Sequence, residues 1–174
     1  MKTTIMRVTS GSVFFLACCG SCFGQDTAKP LEVALCDLYQ HPDQYAAKMI
    51  KVRGGSVGDL RIEYNILHDS HAEPCPTYMR LVVVFPDQIK PAPTFQLVRD
   101  ESYKKLEEAL HSTSPIHIDA TYEGRFDTAF LWRDHKRIRV GGNDVKGYGK
   151  KHEYDGRIVL HQVFNVWTMR LPRL

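Results

Sequence analysis

Residues 50–57 read Ile-Lys-Val-Arg-Gly-Gly-Ser-Val, an alternation of apolar and charged side chains that two glycines interrupt. A period of two buries one face of a strand, and a glycine pair inside it predicts a bend. The same period is clearest over residues 116–125, where Ile116, Ile118, Ala120, Tyr122 and Gly124 alternate with His117, Asp119, Thr121, Glu123 and Arg125. Residues 61–68 set Ile62, Tyr64 and Ile66 against Arg61, Glu63 and Asn65, after a turn near Gly58-Asp59. That arrangement predicts a hairpin with the first strand. Residues 79–85 hold four successive apolar side chains, Leu81, Val82, Val83 and Val84, which predicts a strand covered on both faces. The last strand, over residues 158–168, starts with Ile158 and Leu160 on one face and then changes phase to Val163. A bulge near His161 and Gln162 accounts for such a shift.

Between these strands the signals are helical or irregular. Leu31, Leu35 and Leu38 have helical spacing and Pro42 ends the run, which predicts a helix over residues 31–39. Asp100 offers an N-cap for a helix over residues 101–111, with Tyr103, Leu106 and Leu110 as its apolar stripe. Pro86, Pro91 and Pro93 make the stretch before it a surface connection. Residues 126–157 are too long for a tight hairpin. Phe130, Leu131 and Trp132 either extend the preceding strand or form a short excursion, to which Ile138 and Val140 return.

The first 24 residues stand outside the fold. Lys2 and Arg7 precede a short apolar run and small residues follow, as in a secretory signal peptide. No apolar stretch reaches the roughly 20 residues of a membrane-spanning helix. Cys18, Cys19 and Cys22 leave a lipid-anchored form as the less favoured alternative to release. Residues 25–32 are expected as a flexible lead-in and residues 33–174 as one domain. Charge is uneven: residues 25–124 carry 10 basic against 15 acidic side chains, and residues 125–174 carry 11 against 5. The near-neutral total argues against a general polyanion binder, while the tail is distinctly basic.

The order strand, strand, strand, helix, strand, strand is that of the OB-fold, a mainly β, five-stranded Greek-key barrel with its helix between strands 3 and 4. The pattern Leu38-x3-Pro42-x2-Tyr45-x2-Lys48-x-Ile50-x-Val52-x-Gly54 resembles the approach to the first strand in secreted bacterial OB-fold-like proteins of unassigned function. Gly147-Tyr148-Gly149-Lys150, followed by the final apolar strand, is similar to them as well, although many have His where Lys150 stands. The resemblance spans residues 33–168 as a pattern. It implies a fold and a location and attaches no activity.

Cys36 and Cys75 are the two cysteines left once the leader is removed, and an exported chain with one pair reads as disulfide-bonded. His68, His71 and Cys75 fall within eight residues but lack a fourth ligand at the usual spacing, so no metal or other cofactor is assigned. The serines show no nucleophile-elbow signature, and the glycines show no phosphate-cradling loop. Asp119 and Glu123 share a strand face about 13 Å apart, beyond a glycosidase pair, and read as solvent-exposed carboxylates.

Residues 125–157 carry the candidate ligand site. Arg133, Lys136, Arg137, Arg139 and Lys150 are interleaved with Trp132 and Tyr148, and cations beside aromatic faces hold phosphates or sugars. In an OB-type cleft this loop is one wall, and the outward residues of strands two and three, Arg61 and Arg80 among them, are the floor. The expected function is therefore an exported, non-catalytic binding or interaction module. Its expected partner is an anionic small molecule, a glycan or an envelope protein, with nucleic acid less favoured. The alternatives are an envelope hydrolase whose site the spacing does not reveal and a structural accessory of the envelope.

Overall fold

The computed structural model describes residues 29–57, 61–63, 80–114, 116–133, 136–139, 147–148 and 154–171, with backbone alone at 57, 61–63, 131–133 and 136–139. The expected signal peptide (residues 1–24), the His68, His71 and Cys75 group and Lys150 lie outside the described residues. Strands dominate. They are β1 (Leu31–Glu32), β2 (Met49–Val57), β3 (Arg61–Glu63), β4 (Leu81–Val84), β5 (Ile116–Thr128), β6 (Phe130–Arg133), β7 (Lys136–Arg139) and β8 (Gly156–Arg170). The helices are α1 (Leu35–Gln40), α2 (Pro42–Tyr45) and α3 (Glu101–Leu110). Among the described residues no helix is long and apolar enough to cross a membrane.

Six strands form a mixed sheet in the order β1-β2-β3-β4-β8-β5, and β2 pairs in addition with β5. The alternation in β2 appears as a nine-residue antiparallel ladder from Met49 opposite Arg125 to Val57 opposite His117. That ladder runs through Gly54 and Gly55 without a register shift, so the glycine pair makes no bulge. Gly55 and Ser56 instead pair on both edges, with Asp119 and Ile118 on one side and Glu63 and Ile62 on the other.

Strand β5 runs three residues beyond the expected end. Its partner β8 breaks register where the phase of the sequence changes: Glu123 faces Gln162 and Gly124 faces Leu160, which leaves His161 as the extra residue. A second shift, between Asp119 opposite Trp167 and Thr121 opposite Phe164, is accommodated by Asn165 at φ 51°. Asparagine is among the few non-glycine residues that adopt that conformation readily.

The core gathers the inward residues of these strands with α1 and α3. Ile50, Ile118, Tyr122, Phe126, Ile158, Leu160 and Val163 are fully buried, as are Leu38, Tyr39 and Leu106 from the helices. Asp100 caps α3 as its sequence position predicts, accepting the Tyr103 amide at 3.0 Å.

Three expectations change. Leu31 and Glu32 do not begin a helix or belong to a flexible lead-in: they pair in parallel with Ile50 and Lys51, and α1 starts at Leu35. A neighbouring strand edge satisfies their backbone groups, which helical spacing alone cannot reveal. Strand β4 is not covered on both faces, since Leu81 and Val83 are buried while Val82 and Val84 are half-buried. Asp119 is not solvent-exposed. It is 5% exposed and held by Arg53, Nη2 to Oδ2 at 2.7 Å and Nε to Oδ1 at 3.2 Å.

Candidate functional site

On the outward face of β5, side chains two apart point the same way, so Arg125 and Asp127 are neighbours on one surface. Arg125 binds the Asp127 carboxylate with two hydrogen bonds, Nε to Oδ1 at 2.8 Å and Nη2 to Oδ2 at 3.1 Å. The β5–β8 ladder sets Arg157 directly opposite Asp127, and Arg157 Nε donates to Oδ2 at 2.8 Å. One carboxylate therefore holds two guanidinium groups. Arg157 donates through Nε alone, leaving its two terminal amino groups without a partner among the described residues.

Tyr148 completes the cluster. It sits in an isolated bridge with Tyr154, amide to carbonyl in both directions at 2.9 and 3.2 Å, which holds its backbone in place. The Arg157 guanidinium lies 4.5 Å from the ring centroid, a cation–π contact. Burial raises the Tyr148 hydroxyl above its ordinary pKa of 10.0 and the Asp127 charge adds to the rise, while Arg157 and Arg125 oppose it. The phenol is neutral at physiological pH and available as a hydrogen-bond donor.

Register extends this surface across the sheet. Arg61 faces Val82 in the β3–β4 pair, Val82 faces Arg157 in the β4–β8 pair, and Arg157 faces Asp127. These four positions form one row. At its edge, exposed Arg80 is fixed through its backbone: its amide donates to Asp155 Oδ2 at 3.1 Å, and its carbonyl accepts the Asp155 amide at 2.8 Å.

The predicted site residues thus divide. Tyr148 belongs to the Arg125–Asp127–Arg157 cluster, Arg61 shares its row by register, and Arg80 flanks it. Trp132, Arg133, Lys136, Arg137 and Arg139 lie on a separate antiparallel hairpin of β6 and β7, with Trp132 opposite Arg137 and Arg133 opposite Lys136. This is the short excursion the sequence allowed. Arg125 and Arg157 bounded the predicted loop without being assigned to the site, and Asp127 went unassigned. The pattern Arg125-x-Asp127 within an alternating strand was the available signal.

Among the described residues no group of three or more His, Cys, Asp or Glu side chains is placed to hold a metal ion. Comparison with protein-family models, with curated proteins and with solved structures finds no match to this chain.

Proposed function

We propose that the chain is an exported OB-like Greek-key barrel acting as a non-catalytic binding module. Support for the barrel comes from the succession of pairings β2–β3–β4–β8–β5, with β5 also hydrogen-bonded to β2 and α3 lying between β4 and β5 in the chain. The parallel β4–β8 pair fits the same topology. Export rests on the leader sequence. A Cys36–Cys75 bridge is part of the proposal, supported by the disulfide-bonded state of Cys36 and by Cys75 being the other cysteine beyond the leader.

The ligand we propose is anionic and binds at the Arg157 end of the outward face. The observation that carries this reading is the pair of guanidinium groups fixed on Asp127, with Tyr148 against one of them. Arginines already ordered by a carboxylate lose little side-chain freedom when they meet an anion. Their remaining donors present the planar fork that suits carboxylate and phosphate.

Titrations with glucuronate and inorganic pyrophosphate test the reading. Arg157→Gln is expected to lower affinity for the bound probe about tenfold, with the effect shrinking as salt rises. Neutralising Lys136, Arg137 and Arg139 together measures what the β6–β7 hairpin contributes. A probe that binds indifferently to salt and to Arg157→Gln refutes the assignment.

A further inference from the structure

The Arg157 cluster is one end of a longer surface. The outward side chains of β5 run from Asp119 through Thr121, Glu123 and Arg125 to Asp127, eight residue steps or about 26 Å along the strand. The neighbouring strands flank this run with cations from β2 and with aromatic rings and Arg157 from β8. From β2, Lys51 stands opposite Glu123 and Arg53 opposite Thr121; from β8, Phe164 stands opposite Thr121 and Trp167 opposite Asp119.

The contacts repeat a motif. Lys51 Nζ lies 4.3 Å from the Phe164 ring centroid, as Arg157 lies over Tyr148 at the other end. Arg53 holds Asp119, as Arg125 and Arg157 hold Asp127. Trp167 is 52% exposed, and a shallow cavity of about 410 Å³ opens beside Lys51, Arg53 and Thr121.

We infer that the outward face of β5, from Trp167 at one end to Arg157 at the other, binds an extended acidic polysaccharide. The inference rests on the proposed anion site and adds a ligand class and a second contact region to it. Four cations along the face meet three carboxylates, and Glu32 lines the cavity beside Lys51 as a fourth, so the net charge is small. A nucleic-acid strand carries a phosphate at every step and meets Glu123 and both paired aspartates unfavourably. It also needs a series of open rings for its bases, whereas Phe164 and Tyr148 are each covered by a cation. A polysaccharide matches the alternation. Its carboxylates meet guanidinium donors, its hydroxyls donate to carboxylates such as Glu123, and an apolar sugar face stacks on the open Trp167 ring.

Hyaluronan fragments, in which acidic and neutral sugars alternate, serve as the probe. A run of contacts along one face makes affinity rise with fragment length, and the octasaccharide is expected to bind at least about tenfold more tightly than the disaccharide. Trp167→Ala and Lys51→Gln are expected to remove most of that gain, leaving disaccharide affinity and melting temperature unchanged. Arg157→Gln is expected to weaken both fragments. If Arg157→Gln weakens both but length brings no gain, the extended site is wrong and the anion site stands. If Arg157→Gln affects neither fragment, the reading on which this one rests fails as well. Tighter binding of an oligothymidylate of similar length than of the octasaccharide overturns the polysaccharide assignment.

Discussion

Gly124 occupies the point at which β5 and β8 change register, and replacing it with alanine tests how rigidly that point is built. A Cβ there lies 2.9 Å from the Val159 carbonyl carbon and 3.0 Å from Ile158 Cγ2, and falls directly on the Val159 carbonyl oxygen. The obstacle is backbone rather than the end of a flexible side chain. Val159 is fully buried between fully buried Ile158 and Leu160, so β8 has little room to retreat. Overpacking of this kind costs about 3 kcal/mol. The reduced freedom of the unfolded alanine chain returns up to about 1 kcal/mol, leaving a net loss of about 2 kcal/mol. In a chain of this size that lowers the melting temperature by about 4–8 °C, readable by calorimetry or by circular dichroism. Gly156→Ala supplies the comparison, because its nearest obstacles are side-chain ends, Leu81 Cδ2 at 2.7 Å and Phe126 Cε2 at 2.9 Å. It is expected to cost less. A Gly124→Ala protein that melts with the parent, or above Gly156→Ala, refutes the reasoning. Register also builds the proposed site, since Gly124 opposite Leu160 is what brings Asp127 opposite Arg157 three residues later.

Arg53→Ala is expected to cost about 1–3 kcal/mol in urea unfolding although the Arg53 side chain is 75% exposed, because Asp119, at 7%, loses its acceptor pairing; Asp119→Asn in the same chain should recover part of the loss. Asp100→Ala removes the α3 cap and is expected to cost about 1 kcal/mol. The Gln162 amide, followed by the Tyr103 amide, holds the Asp100 carboxyl below its ordinary 3.8, so its contribution is present above that value and lost as pH falls through the lower folded one. The variant's melting temperature should accordingly fall less steeply on the acid side. Burial pushes the Tyr122 hydroxyl from 10.0 up to about 12, so folding loses stability as pH rises through that interval while the unfolded chain ionises first. Tyr122→Phe is expected to flatten the melting temperature against pH across this range; an unchanged slope rejects the assignment.

What the sequence revealed of the fold depended on how local the cause was. The Asp100 cap and the α3 stripe involve side chains three or four positions apart; the cap appears at its predicted place, and the stripe buries Tyr103 and Leu106 as predicted, with Ala109 buried and Leu110 half-buried at its end. The phase change after Leu160 is local too, and it marks the extra residue at His161. Leu31 and Glu32 failed because their partners, Ile50 and Lys51, are nearly twenty positions away and the spacing of Leu31, Leu35 and Leu38 imitates a helix. Asp119 failed for the same kind of reason. Alternation assigned it correctly to the outward face, but its carboxylate is held by Arg53, 66 positions away in the chain.

The candidate site follows the same division and explains why loop composition drew attention away from the sheet. Lys136, Arg137 and Arg139 form the densest run of cations in the chain, and density is visible in one dimension. Arg125, Asp127 and Arg157 contain fewer charges, and Arg157 joins the other two only through a ladder that spans thirty positions. For binding, fixed geometry counts for more than density. A solvated lysine or arginine must be ordered when a ligand arrives, at about 0.5–1.5 kcal/mol for each side chain. Asp127 has already ordered two guanidinium groups, and one of them lies against the Tyr148 ring. The same carboxylate removes one positive charge, which lowers attraction at long range and leaves short-range donors in fixed directions. On the proposed reading, selectivity among anions comes from geometry more than from net charge and is expected to survive moderate salt better than absolute affinity does, which titrations of two anions at two salt concentrations would measure.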